Sequence, residues 1–204
     1  TSALSGGRYI LAKTNLETST LSSKLTKKQR FNNLDLKSKL GIDFFNSSYR
    51  AIGNDWYQVK YHNIASQNII EPFGIFEFNH SSNEKIDYEI GFRYHYYELD
   101  TDNYTTKTSL SSDDRQNYAW SLGANYNLQN GQKLFTHVSR AYRSPRLDEI
   151  ISLIKPSPSH THIKHQYSND IELGYEVNVE RKRYKASIFR TLIKNQIYLN
   201  QTTL

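Results

Sequence analysis

Three histidines lie close together in the stretch KPSPSHTHIKH of residues 155–165: His160, His162 and His165. In an extended segment His160 and His162 point to the same side, and clustered imidazoles can ligate zinc or copper. The stretch has no Cys and no Asp to complete a tetrahedral set. The alternative to metal binding is that this stretch is only a polar loop before a strand. The three side chains are therefore candidate ligands for a metal or a metal chelate.

A second candidate is Arg143, which lies in Tyr142-Arg143-Ser144-Pro145 and precedes Glu149. Its positive charge could contact an anionic ligand. Arg and Pro at the upper end of a strand also suit a structural role, in which they fix the exit of the chain. Glu149 is then the charge partner of Arg143. The sequence favours this structural role.

Motifs of catalysis are missing from the sequence. It has no Gly-x-Ser-x-Gly, no His-Glu-x-x-His and no glycine-rich phosphate loop. The net charge of +6 is spread along the chain with no aromatic-basic motif, which disfavours nucleic acid as a partner. We therefore predict a protein that is not an enzyme.

The elements that must position these residues are β-strands with two unlike faces. From Asn117 to Leu128, apolar or aromatic side chains alternate with small or polar ones without a break. A period of two indicates a strand with one apolar face and one wet face. The same alternation runs through residues 86–96, 170–180 and 33–44, with charges on the wet face. An apolar outside and an ionic inside are typical of a strand between lipid and a watery lumen.

Composition agrees with an antiparallel transmembrane β-barrel. Hydrophobic residues are only 37% of the 204, yet 16 residues are Tyr and 9 are Phe. Tyr suits the membrane–water interface, where barrels carry aromatic girdles. No stretch approaches the ~20 apolar residues of a membrane helix, but a barrel strand needs only about 9–11 residues. A passive porin and a soluble β-sandwich that binds carbohydrate are the alternative interpretations.

Weaker patterns bring the predicted number of strands to about nine or ten. They lie near residues 7–15, 55–64, 69–79, 133–142 and 184–194. Short polar turns are predicted at 79–85, 129–132 and 178–183, the second with an Asn-Gly signal. Long loops are predicted at 17–28, 99–115 and 143–169. Because outer-membrane barrels have tight periplasmic turns and long outer loops, the loops at 99–115 and 143–169 are predicted to be extracellular.

The two ends of the sequence indicate one barrel segment, residues 1–204, from a longer protein. Thr1-Ser2-Ala3 has no Met and no leader-like pattern. Thr202-Thr203-Leu204 lacks the terminal aromatic residue that we expect of a complete outer-membrane barrel.

Three stretches, in this order and spacing, resemble the barrel of TonB-dependent outer-membrane receptors over residues 70–200. The first is GIFE at 74–77 with YEIGFRY at 88–94. The second is LFTHVSRAYRSP at 134–145 with LDE at 147–149. The third is NDIELGY at 169–175 with ASIF at 186–189 and NQIY at 195–198. The structural motif residues under this resemblance are Tyr142, Arg143, Pro145, Glu149, Glu172 and Gly174.

The resemblance implies the later half of a 22-stranded barrel in the outer membrane of a Gram-negative cell, with an N-terminal plug in its lumen. The plug domain and the barrel termini would lie outside this chain. Such receptors take up a scarce nutrient, most often a ferric siderophore, and the resemblance implies that no cofactor is needed. The implied partners are outer-membrane lipid, the receptor's own plug, the TonB energy-transducing complex, and a ferric chelate or other small ligand.

Two further expectations depend on this resemblance. The wet-face charges would solvate the lumen and form salt bridges with the plug: Asp35, Lys37, Asp87, Glu89, Arg93, Glu172 and Glu176. The stretch HIKHQ at 162–166 stands where the family often has Asn-Pro-x-Leu-x-Pro-Glu. That departure disfavours a haem receptor.

Overall fold

One antiparallel sheet accounts for most of the described chain. The computed structural model describes residues 11–54, 60–80, 86–103, 108–128, 130–150, 164–179 and 182–197. Each strand pairs with its neighbours in sequence. The elements are β1 (Leu11–Phe31), β2 (Leu34–Asn54), β3 (Lys60–His80), β4 (Ile86–Asn103), β5 (Thr108–Asn127), β6 (Gln132–Arg143), α1 (Leu147–Ile150), β7 (Gln166–Val179) and β8 (Lys182–Lys194). The predicted all-β antiparallel fold is confirmed, and β1 and β8 are the edges of a sheet that is not closed.

The two faces of the sheet differ as the alternation predicts. One register row on the apolar face runs through Ile90, Leu122, Val138 and Ile171. The next row, on the polar face, runs through Gly91, Ser121, Ser139 and Asp170. Leu122 is 49% exposed and Ile171 is 52% exposed. An apolar surface that stays exposed across four neighbouring strands is the surface that lipid would cover.

Tight turns join the strands at one end of the sheet, which we call the turn end. Asn32 and Asn33 alone connect β1 to β2, and Asn32 has a φ of 49°. Between β5 and β6, Asn130 has a φ of 58° and Gly131 a φ of 72°, so the predicted Asn-Gly turn is confirmed. Positive φ values match the twist of paired strands. A Cβ on Gly131 would also lie 2.8 Å from the backbone oxygen of Asn178.

Two of the predicted loops are strand. Residues 17–28 lie inside β1, which pairs with β2 over its whole length, and only residues 104–107 separate β4 from β5. Residues 60–64 of one predicted strand and all of the strand predicted at 69–79 are parts of β3, which starts at Lys60, while residues 55–59 lie outside the described residues. The described residues thus form eight strands, longer than predicted. Runs of Thr, Ser and Asn show no apolar alternation, yet pairing with a neighbouring strand satisfies the backbone groups that face it.

The strands are much longer than a membrane requires. β1, β2 and β3 have 21 residues each, whereas about 9–11 residues cross the hydrocarbon layer. Because the tight turns hold one end, the excess length projects from the opposite end, which we call the far end. No helix of the described residues combines the length and apolarity needed to span a bilayer.

Gly174 makes room for an aromatic ring on the polar face. It pairs with Phe135 of β6, and a Cβ at this position would lie 2.1 Å from the ring. We expect Gly174→Ala to lower the free energy of unfolding by about 1–3 kcal/mol, because the ring must leave its place. Urea unfolding of the full-length protein in detergent measures the loss.

The matched control for Gly174 is Gly123→Ala on β5, where an added Cβ meets only ordinary contacts at 3.7 Å. This variant should unfold close to the wild-type urea midpoint. Phe135→Ala removes the ring. In that background, Gly174→Ala should cause little further loss of unfolding free energy. Equal losses for the two glycine variants would contradict this packing argument.

Candidate functional site

Near the far end, β6 parts from β5, and the chain that follows it crosses the polar face of the sheet. The β5–β6 pairing ends at Trp120 and Arg140. Two residues later, the Tyr142 hydroxyl donates to Glu71 of β3 at 3.0 Å, across the width of β4 and β5. Helix α1 packs against β2 and β3, and its Leu147 is 4% exposed. We call residues 142–150 the crossing segment, since it covers the inner face here.

A small core lies beneath the crossing segment. Its buried apolar members are Tyr49, Ala51, Ala65, Tyr97, Leu99 and Leu147. These residues come from β2, β3, β4 and α1, although the rest of the polar face carries mostly charged and hydroxyl side chains. Burial of Leu147 therefore helps to hold the crossing segment against the wall.

Glu71 joins the crossing segment to the strands. The β3–β4 pairing skips Glu71 and Pro72, since proline has no N–H for the ladder. Glu71 Oε2 accepts from Arg93 Nη1 at 2.5 Å. Its Oε1 accepts from His95 Nδ1 at 2.6 Å and from Tyr142 at 3.0 Å. With a side chain only 13% exposed, the carboxylate is compensated by three donors from two other strands.

Arg93 lies between two carboxylates. Its Nη1 donates to Asp43 Oδ2 of β2 at 2.9 Å as well as to Glu71 of β3. Its guanidinium carbon is 4.8 Å from the ring centre of Phe73. A guanidinium remains charged and can satisfy both carboxylates at once. Arg93 therefore ties β2, β3 and β4 together behind the crossing segment.

Ser144 of the crossing segment bridges two histidines. Its Oγ is 2.8 Å from His95 Nε2 and 3.2 Å from His165 Nδ1. Because His95 Nδ1 donates to Glu71, Nε2 of a neutral ring accepts from Ser144. The Ser144 oxygen can then accept from His165. The backbone oxygen of His165 in turn accepts from Asn195 at 3.1 Å, so the network continues past β8.

The hydrogen bonds link a serine, a histidine and a carboxylate (Ser144, His95 and Glu71) in the same order as in a hydrolase triad. However, His95 is 2% exposed, and the rings of Tyr97 and Tyr142 lie 5.5 Å and 4.8 Å from it. Ser144 is also engaged by a second imidazole. Enclosure and shared hydrogen bonding favour a network that holds the crossing segment over one that activates a nucleophile.

The predicted motif around Arg143 shapes the start of α1. Arg143 forms an ion pair with Glu149, the charge partner that the sequence suggested. Glu149 also accepts from the backbone N–H of Arg146 at 2.8 Å, and Pro145 is buried. Nη1 of Arg143 is buried and has no hydrogen-bond partner among the described residues. A ligand-binding role for Arg143 stays a prediction.

The three candidate histidines do not meet in the described part of the chain. His160 and His162 lie outside the described residues. His165 is 6% exposed and packs against His95 and Tyr97, so it does not face the medium as a residue of an extracellular loop would. Its role as a metal or chelate ligand stays a prediction. Across the described ranges, no three His, Cys, Asp or Glu side chains are placed to hold a metal ion.

Charges on the polar face pair with one another near the turn end. Glu77 accepts from Lys37 at 2.8 Å and from Lys39 at 2.5 Å. Glu176 is 5% exposed and accepts from Arg183 at 2.6 Å. Lys37 and Glu176 therefore lie on the inner face, where the alternation placed them.

Sequence reasoning missed Glu71 and Ser144 as members of the site. Glu71 had a usable signal, because a proline directly after it interrupts a strand pattern and marks a break in pairing. Ser144 had none. Its contacts arise only because β6 crosses the sheet.

An antiparallel sheet with an apolar outer face and a charged inner face defines the wall of an outer-membrane β-barrel. The sequence matches the family described as TonB dependent receptor-like, beta-barrel, over residues 2–204. The chain therefore belongs to the TonB-dependent receptor β-barrel family, whose members are receptors and transporters of the outer membrane rather than enzymes. The resemblance seen in the three sequence stretches is confirmed.

Solved structures share this fold. The ferric citrate transporter FecA, unliganded, has a TM-score of 0.78 at 13% identity, covering 98% of this chain and 31% of that one. The ferric-catecholate import receptor Fiu from E. coli K12 has a TM-score of 0.70 at 14% identity, covering 95% and 33%. The copper transporter OprC has a TM-score of 0.66 at 16% identity, covering 89% and 31%. This chain thus spans about a third of each of these structures. No curated protein matches the sequence.

Proposed function

We propose that this chain is part of the barrel wall of a receptor that imports a ferric siderophore across the outer membrane of a Gram-negative cell. The observation that supports this most is the family match over residues 2–204. The turn end would face the periplasm and the far end the medium. The crossing segment would then lie inside the barrel near its outer mouth.

The inner face suits a plugged receptor better than an open pore. Its ion pairs, such as Lys37 with Glu77 and Arg183 with Glu176, line the wall near the turn end. Charged side chains of this kind can exchange partners with a plug surface. We propose that a plug domain of the same receptor fills the lumen and that the TonB complex supplies the energy to move it.

The ligand would bind at the far end of the sheet. Ferric chelates are often anionic, and Arg143, whose side chain is 39% exposed, offers a guanidinium at this end. Two of the similar structures are a ferric citrate transporter and a ferric-catecholate import receptor, and a third is a copper transporter. Their ligands supply the probes, and the substrate class of this receptor is our proposal.

Uptake of radiolabelled iron tests the proposal. Cells that produce the full-length receptor should accumulate iron from a ferric catecholate or ferric citrate, and cells without a working TonB complex should not. Arg143→Gln should reduce uptake at low chelate concentration more than at saturation. Accumulation that does not need TonB and rises linearly with concentration would contradict the proposal and favour a passive porin.

Replacing two histidines separates chelate uptake from direct metal capture. We expect the double variant His160→Ala and His162→Ala to leave ferric-chelate uptake within about twofold of wild type. Two imidazoles without a carboxylate or thiol make an incomplete metal site. Uptake of chelated iron and of free zinc is measured in parallel.

His165→Ala serves as the contrast to the double variant. His165 is buried against Ser144 and His95, so its loss should disturb the crossing segment rather than a surface site. If the double variant lost zinc uptake alone, the loop would be a metal-capture site and the siderophore proposal would be wrong.

A further inference from the structure

The wall of the sheet steps down between β5 and β6. β4 pairs with β5 as far as Thr108, but the pairing of β5 with β6 stops at Trp120. Among the described residues, no strand pairs with this edge of β5 over residues 108–119, which we call the open edge. Alternate residues of a strand direct their N–H and C=O groups to the same edge. Every second residue of the open edge thus presents main-chain groups that the described ladders do not use.

The neighbouring strand β7 passes behind the open edge. Asn117 pairs with His95 and shares its inner face, and the Tyr167 hydroxyl of β7 donates to Asn117 Oδ1 at 2.5 Å. Asn117 is 3% exposed, so its side chain is covered from the inside. β7 therefore meets β5 through side chains on the inner face, not through a backbone ladder. In a barrel whose strands pair in sequence order, the remaining strands would adjoin β1 and β8 and could not reach this edge.

The open edge rises out of the apolar band of the wall. Asn117 is ten residues from the turn-end residue Asn127. Ten steps of ~3.3 Å along a strand tilted by ~40° rise roughly 25 Å along the membrane normal, which is about the height of the apolar band. Residues 108–116 therefore lie above the band. Water can solvate unpaired main-chain groups there, whereas lipid could not.

The open edge has few of the features that usually block a sheet edge. Natural edges are protected by lysines, prolines or bulges. Residues 108–119 contain no Lys and no Pro. The β4–β5 register shifts between Leu99 and Thr101, so the regular part of the ladder begins at Asp113. The stretch from Asp113 to Asn117 is therefore the part that can accept a further strand.

The strands beside the open edge are acidic in sequence. Residues 98–114 contain five Asp or Glu and one Lys, although the whole chain has a net charge of +6. Exposed Glu98 is opposite Asp114 in the register, and the row continues on β3 with the neutral Asn68. Like charges opposite each other on neighbouring strands are destabilising. A cation at the next position of this row, on an added strand, would offset that repulsion.

We propose that the open edge binds an extended cationic peptide segment of a protein in the medium, which adds a strand to β5. The inference rests on the proposed function in one respect, the placement of the far end toward the medium. Main-chain hydrogen bonds give such a complex its affinity, and side chains at alternate positions give it selectivity. A second copy of this chain is a poorer partner. Antiparallel pairing centred on the open edge would place Asp113 of one copy opposite Asp114 of the other.

Hydrogen exchange of the purified full-length receptor tests the site with residue resolution. The probe is a short peptide that alternates lysine and valine. Without peptide, every second amide from Asp113 to Asn117 should exchange rapidly. Saturating peptide should slow these amides about tenfold or more, because each becomes part of a ladder. The control peptide alternates lysine and proline, which keeps the charge but cannot form a regular ladder, and it should give no such protection.

Two receptor variants test the role of charge. D113N/D114N keeps the main-chain edge and should weaken binding of the lysine–valine peptide about fivefold, since an exposed charge pair contributes roughly 0.5 kcal/mol. Glu17→Gln is the matched control, because it removes an exposed carboxylate from β1, far from the open edge. This variant should bind the peptide as wild type does. Heat-modifiable gel mobility shows that each variant is folded.

Three results would overturn the proposal. If alternate amides from Asp113 to Asn117 were already protected without peptide, the receptor's own chain or a second copy would hold the edge. If the lysine–proline peptide bound equally well, the attraction would be of charge alone. Binding that D113N/D114N leaves unchanged would remove the acidic strands from the site. The measurement is independent of iron, so a receptor with this protection but no TonB-dependent iron uptake would contradict only the proposed function.

Discussion

Glu71→Ala is expected to lower the free energy of unfolding of the full receptor by about 3–5 kcal/mol, the usual result of removing one partner from a buried ion pair. The change leaves Arg93 with Asp43 alone and takes the acceptor from His95 and Tyr142. Urea unfolding in detergent, followed by Trp fluorescence, measures the loss. Hydrogen exchange should also rise in residues 142–150, because the crossing segment loses its tie to β3.

Two variants serve as controls for Glu71→Ala. Glu71→Gln keeps an acceptor for Tyr142 but not the charge, so its loss should be smaller than that of alanine. Glu77→Ala removes a more exposed carboxylate, 22% exposed, that pairs with two lysines near the turn end. It should cost less than Glu71→Ala and leave exchange in the crossing segment unchanged. If the Glu77 variant released that segment equally, Glu71 would not be its specific anchor.

Leu122→Arg is expected to cost about 2–4 kcal/mol of folding free energy in a bilayer, since arginine is least tolerated on the lipid face near the midplane. Leu122 is five residues before the turn-end residue Asn127. That distance is roughly 13 Å along the membrane normal, half the height of the apolar band. Unfolding from phospholipid vesicles measures the cost directly.

Ser139→Arg is the control for Leu122→Arg. Ser139 lies on the neighbouring strand one register row away, but on the polar face. An arginine there faces water and ion pairs rather than lipid, so the loss should be less than half of that for Leu122. Equal losses would mean that the two faces do not differ in their surroundings, and the barrel orientation of the sheet would be wrong.

The sequence alone determined that the chain forms β-strands and that each strand has one apolar and one polar face. In the run from Tyr118 to Tyr126, each residue's face follows from a period of two, whatever the strand pairs with. Lipid on one side and water on the other impose that pattern residue by residue. For this reason the alternation, the Asn-Gly turn and the family resemblance were all readable without a structure.

Strand length and the inner network were decided only by the tertiary structure. Residues 17–28 look like a loop, but each of them pairs with a residue of β2. Glu71 and Tyr142 are 71 positions apart, and they meet because β6 parts from β5 and the crossing segment passes over the inner face. That crossing buries His165, which its own neighbours in sequence would leave in a polar loop. Pairing and burial are set by distant strands, so no local pattern contains them.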